Sequence, residues 1–144
     1  MNNCSPQLVL VVEDERQDVE RLETVLQRYG VSTEVAPRAF EAAAYLKREE
    51  GFTNAVRPTL VLLDWKLAGG GESVLRTIRE ADVLREIPVV VLSRSGADVD
   101  VRAAYAGFAN AFVVKPADLD EYYRKLTSIC DFFLHVAKLP HPRD

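Results

Sequence analysis

Five short apolar runs, separated by segments with helical spacing, set the pattern of this chain: Gln7 to Val12, Val31 to Ala36, Leu60 to Leu63, Ile87 to Leu92 and Asn110 to Val114. A continuous apolar run bounded by turn residues reads as a strand buried on both faces. Between the runs, Arg16 to Tyr29 repeats apolar residues at Val19, Leu22, Val25, Leu26 and Tyr29, a helix that Gly30 closes as a C-cap. Pro37 suits the first turn of a second helix, running to about Glu49 with Phe40, Ala43, Ala44 and Leu46 available for packing. Residues 47–58 are polar and contain Gly and Pro, which predicts an exposed loop. Helices follow over Glu72 to Asp82, carrying Val74, Leu75 and Ile78, and more weakly over Ala97 to Ala106. Asp118 is the expected N-cap of the last one. Strand and helix alternate five times, which predicts an α/β fold: a doubly wound parallel sheet with right-handed crossovers and helices on both faces.

The last helix carries more than its share of apolar residues. Leu119, Tyr122, Tyr123, Leu126, Ile129, Cys130, Phe133 and Leu134 form one stripe for the sheet to cover, and Phe132, Val136 and Leu139 begin a second that points elsewhere. From Asp118 to Leu139 such a helix would run about 33 Å, longer than a small sheet needs, before Pro140 and Pro142 stop it. Large apolar groups on a protruding end mark an interface, and Phe132, Phe133, Val136 and Leu139 are the expected contacts of a homodimer.

Composition narrows the classes. At 144 residues the chain is long enough for one domain with a sizeable core. A net charge of −4 without a basic block argues against nucleic acid as a partner. No apolar run approaches a membrane span and the N-terminus does not read as a signal peptide, so a cytoplasmic location away from membranes is expected. Cys4 and Cys130 offer neither a disulfide framework nor zinc-ligand spacing.

Four of the five runs end in residues with chemistry. The first delivers Glu13 and Asp14, the third Asp64 ahead of Gly69-Gly70-Gly71, the fourth Ser93 and the fifth Lys115-Pro116. Each alone has an ordinary reading as a charged strand end, a cap or a loop. Together they fall along the carboxyl edge of one parallel sheet, where ligands bind in open α/β folds. Three carboxylates crowded there require a proton or a cation, and Mg²⁺, with its preference for a few carboxylates and retained waters, suits the set. Asp64 as nucleophile, a divalent cation and the Lys115 ammonium are the parts of a phosphoryl transfer. A flavin is disfavoured because Glu13-Asp14-Glu15 would repel its phosphate. Asp64-Trp65-Lys66 also lacks the second Asp of a dehalogenase-type phosphatase.

On these residues the chain resembles a response-regulator receiver domain over essentially its whole length. The resemblance implies a flavodoxin-like, five-stranded parallel sheet of order 2-1-3-4-5, extended here by the long C-terminal helix. It divides the chain into a receiver core over 1–127 and a C-terminal extension over 128–144 that serves as a dimerisation arm. It further implies Asp64 as phosphoacceptor, assisted by Ser93 and Lys115. Mg²⁺ would be held by Glu13, Asp14, Asp64 and the Lys66 backbone carbonyl, Ser93 and Phe112 would form the switch, and the peptide before Pro116 would be cis. The Ser-Ile-Cys-Asp-Phe-Phe-Leu run and the ending Val-Ala-Lys-Leu-Pro resemble regulators that partner bacterial phytochrome-type histidine kinases. The expected function is therefore a single-domain regulator, not an enzyme and without an output domain, that accepts a phosphoryl group from such a sensor kinase. The alternative is a receiver-like interaction module that no longer needs phosphate. The chain departs from the family in Ala68 where Pro is usual, in the short glycine loop, and in Lys66 and Arg94, two extra cations flanking the site. Whether these weaken metal binding, alter acyl-phosphate hydrolysis or touch the phosphoryl group is open at this level.

Overall fold

The computed structural model describes residues 7–49 and 51–144; Cys4 lies outside them. In chain order the elements are β1 (Leu8–Val12), α1 (Arg16–Gln27), β2 (Ser32–Ala36), α2 (Ala39–Leu46), β3 (Leu60–Asp64), α3 (Gly71–Glu80), β4 (Val89–Ser93), α4 (Asp98–Ala106), β5 (Ala111–Val114) and α5 (Leu119–Cys130). The five strands form one parallel sheet of order β2-β1-β3-β4-β5, the doubly wound flavodoxin-like arrangement.

Side-chain alternation divides the strands between two cores. Leu10, Val12, Val61, Leu63, Val89 and Val91 face α2, α3 and α4, where they meet Ala42, Leu46, Leu75, Ile78 and Ala104. Val9, Val11, Leu60, Leu62, Val90 and Leu92 face α1 and α5, where they meet Leu22, Leu26, Tyr122, Leu126 and Ile129. Both faces of the central strands are therefore covered, which is why those strands read as continuous apolar runs. The loop expected over 47–58 is anchored at several of its described residues. Tyr45 donates from its hydroxyl to Val56 O at 2.8 Å, Arg48 Nε donates to Ala55 O at 3.0 Å, and the Phe52 ring stands edge-on to Tyr45.

The C-terminal helix corrects the expectation of one regular helix to Leu139. Asp118 caps α5 by accepting from Asp120 N and Glu121 N, but after Cys130 the chain widens into a π-helical turn over Asp131–Val136 and leaves helical geometry at Ala137. Ala137 N reaches back five residues to Phe132 O at 2.7 Å. Opposite the turn, the Tyr29 hydroxyl donates to the Asp131 carboxylate at 2.6 Å and lies 3.2 Å from Thr127 O, tying this segment to the end of α1. The wider turn keeps Phe133 and Leu134 packed on the α1/α5 core while Phe132 and Val136 face solvent. The stripe is also shorter than expected at its start, because Leu119 is 46% exposed. Beyond the turn the tail crosses to the edge of the sheet opposite the Asp64 end. There Arg143 grips Glu86 through two hydrogen bonds of 2.9 and 3.0 Å, and its carbonyl accepts from Arg57 Nε at 3.1 Å.

Candidate phosphoryl-acceptor site

Register brings the four strand ends together. Val12 pairs with Leu63 and Asp64 with Leu92, so Glu13 and Asp14 follow β1 beside the end of β3, while Ser93 pairs with Val114 and Lys115 N donates to Ser93 O at 2.7 Å. Glu13, Asp64, Ser93 and Lys115 are buried and Asp14 is exposed. Gly71 is needed for the chain to leave β3 tightly. A β-carbon there would lie 2.7 Å from Asp64 O and 2.9 Å from Trp65 Cα, closer than atoms pack.

The Lys115 ammonium sits among carboxylates: 2.6 Å from Glu13 Oε2, 3.0 Å from Asp18 Oδ2 and 3.6 Å from Asp64 Oδ1. Burial pushes the Glu13 carboxyl up to about 7 and the nearby Asp64 charge adds to the rise, while the hydrogen bond and charge of Lys115 oppose it. For Lys115 burial acts the other way, yet Glu13, Asp64 and Asp18 outweigh it and hold the ammonium above its ordinary range.

Glu13, Asp14 and Asp64 each offer a carboxylate oxygen, all within 4.8 Å of one another. An oxygen-only donor set of three carboxylates, one of them exposed, fits a hard divalent cation that keeps some of its waters. Lys66 and Arg94 are paired with carboxylates other than those three. Lys66 pairs with Asp100 of α4 at 3.0 Å, and Arg94 with Glu15 at 2.6 Å and Asp18 at 3.1 Å. Ser93 Oγ accepts from Ser95 N at 3.2 Å. Phe112 is half-buried against the α2/α3/α4 core, and its backbone N donates to the Tyr105 hydroxyl at 3.1 Å. The Lys115–Pro116 peptide is trans, correcting the cis expectation: the described residues contain no cis peptide bond. Trans is the resting preference of an X–Pro bond, by about 0.5–1 kcal/mol.

Asp18 is the residue that pattern reading missed. On α1 it precedes Leu22 by one helical turn and Val25 by two, so it occupies the apolar face, and it is 1% exposed. A charged residue at an inward helical position was the available signal.

Comparison with known proteins bears on this arrangement. The chain is 32% identical over 138 residues to the response regulator Rcp1 of Synechocystis sp., with 94% of each chain covered. Its backbone superposes on the Mn²⁺-bound form of Rcp1 with a TM-score of 0.90, at 31% identity and covering 94% of this chain and all of the other. The phosphorylated cyanobacterial phytochrome response regulator RcpA gives 0.91 at 32% identity, covering 95% of this chain and 100% of that one. The bacteriophytochrome response regulator RtBRR gives 0.74 at 33%, covering 96% and 85%. With residues 9–127 matching the family's pattern as well, the chain belongs to the response regulator receiver domain family.

Proposed function

We propose that Asp64 accepts a phosphoryl group from the phosphohistidine of a sensor kinase of the phytochrome class, making the protein a signalling switch rather than a turnover enzyme. The observation that carries this is the convergence of Asp64 with Glu13, Asp14 and Lys115 at one strand edge. In the transfer an Asp64 carboxylate oxygen attacks phosphorus, the P–N bond to histidine breaks, and an acyl phosphate forms. Lys115, held within 3.6 Å of Asp64, supplies positive charge to the incoming phosphoryl oxygens. Mg²⁺, bound by Glu13, Asp14 and Asp64 with the Lys66 carbonyl, would supply further charge neutralisation. The similarity to Rcp1, RcpA and RtBRR supports the kinase class.

Ser93 and Phe112 act as the switch in this reading. The Ser93 hydroxyl turns toward the phosphoryl group, leaving space for the Phe112 ring and biasing the α4–β5 surface between two states. The segment over 128–144 is the dimerisation arm, with Phe132 and Val136 as its exposed apolar groups. The test is incubation with acetyl phosphate and Mg²⁺ followed by intact-mass and hydroxylamine analysis. The parent should gain one hydroxylamine-labile phosphoryl group and Asp64→Asn none. A parent that never labels would leave the phosphate-independent interaction module, and label retained at full rate in Asp64→Asn would reject the residue.

A further inference from the structure

We propose that Asp18 is a positioning residue for phosphoryl transfer to Asp64, acting through Lys115; this rests on the function proposed above. One carboxylate holds three cations. Its Oδ2 accepts from Lys115 Nζ at 3.0 Å and Arg94 Nη2 at 3.1 Å, and its Oδ1 from Arg21 Nη1 at 2.9 Å. Two of those cations come from elements that bear on Asp64. Lys115 directly follows β5, and Arg94 directly follows Ser93 at the end of β4. Asp18 therefore fixes both to α1 at a single buried point.

Glu13 makes the shorter bond to Lys115, at 2.6 Å, but Glu13 also belongs to the carboxylate cluster suited to a divalent cation. A metal drawing on Glu13 weakens its hold on the ammonium. Asp18 lies outside that cluster and keeps Lys115 in place when the site is loaded. Burial opposes the Asp18 charge, yet Lys115, Arg94 and Arg21 together hold its carboxyl below the ordinary carboxylate range, in keeping with a permanent anchor.

Asp18→Asn keeps the size and one acceptor while removing the charge. With acetyl phosphate and Mg²⁺ its labelling rate should fall about tenfold, as expected for loss of a charge-assisted hydrogen bond that is used in the transition state. A purely structural Asp18 would cost the same in any background, so the deciding measurement is a double-mutant cycle with Lys115→Met. Acting through Lys115, Asp18→Asn should change the residual rate in that background by less than about twofold. An equal tenfold loss in both backgrounds, or no loss in either, overturns the proposal. A second readout uses the unaltered protein and does not depend on transfer. In a ¹⁵N-lysine ammonium spectrum the buried, slowly exchanging Lys115 signal should persist when Mg²⁺ is added; its disappearance would show that Glu13 alone held it and would likewise overturn the anchor. A parent that fails to label while retaining this signal would instead overturn the phosphoacceptor function, and the role of Asp18 in transfer with it.

Discussion

The carboxyl group at position 13 is 2% exposed, and burial raises its pKa from 4.5 to about 7 against the pull of Lys115. Between those values the folded protein holds more protons at Glu13 than the unfolded chain does. Its contribution to stability is therefore full below about 4.5 and lost as pH rises through about 7. In metal-free buffer the melting temperature should fall between pH 5 and 8, and Glu13→Gln should flatten the fall. An identical slope in both proteins would show that Glu13 is not the titrating group. Asp18 has the opposite sign, its contribution being lost only as pH falls below the ordinary 3.8, so it does not confuse this window. Ser93, fully buried, tests the switch. Ser93→Ala should still accept phosphate on Asp64 but lose the phosphate-dependent change in amide exchange across Ala97 to Val114, and a change as large as the parent's would reject Ser93 as the trigger. At this scale the sequence was legible wherever a residue's place follows from where a strand ends, as for Glu13, Asp64, Ser93 and Lys115. Asp18, Glu15 and Asp100 were not. Their partners Lys115, Arg94 and Lys66 lie 97, 79 and 34 residues away, and only the fold puts each pair in contact.

Among the elements, the turn from β3 into α3 is the most constrained. Gly71 N donates to Trp65 O at 3.1 Å, so the chain doubles back on the residue that follows Asp64, with no room for a β-carbon. Gly71→Ala should cost about 1–3 kcal/mol through forced displacement of the Asp64–Trp65 backbone. Urea unfolding monitored by Trp65, which is 6% exposed, reads this directly, and an unchanged midpoint would mean the turn yields without strain. Strand positions and the five-fold alternation were readable because two-sided burial leaves nearly pure apolar runs. Helix ends were less so: the second helix reaches only Leu46, not Glu49, and the first ends at Gln27, with Arg28 and Tyr29 outside it. The π-helical turn was illegible in principle from periodicity. The 3.6-residue spacing cannot signal a wider turn, and the contacts that accompany it, such as Tyr29 with Asp131, join residues 102 apart.

For the whole molecule the open question is what covers Phe132 and Val136, which are 52% and 71% exposed on a segment whose neighbours are occupied. Phe133 and Leu134 pack inward, Leu139 is half-buried, and the tail beyond it is bound to Glu86 and Arg57, so the exposed pair belongs to the helix and not to a free end. A twofold pairing would bury both residues from each of two chains, worth about 5 kcal/mol at roughly 25 cal/mol per Å² of apolar surface. That sum only reaches the lower end of the association cost of about 4–15 kcal/mol, so the contact must extend along α5 to be stable. Such burial does not involve Asp64, and dimerisation is therefore expected with or without phosphate, presenting two acceptor sites together to a dimeric kinase. Phe132→Asp combined with Val136→Asp places like charges on both sides of the axis while leaving the inward stripe untouched. Sedimentation should give a dimer for the parent, phosphorylated or not, and a folded monomer for the variant. A parent that remains monomeric at tens of micromolar, or a dimer that survives the paired aspartates, would reject this face as the interface.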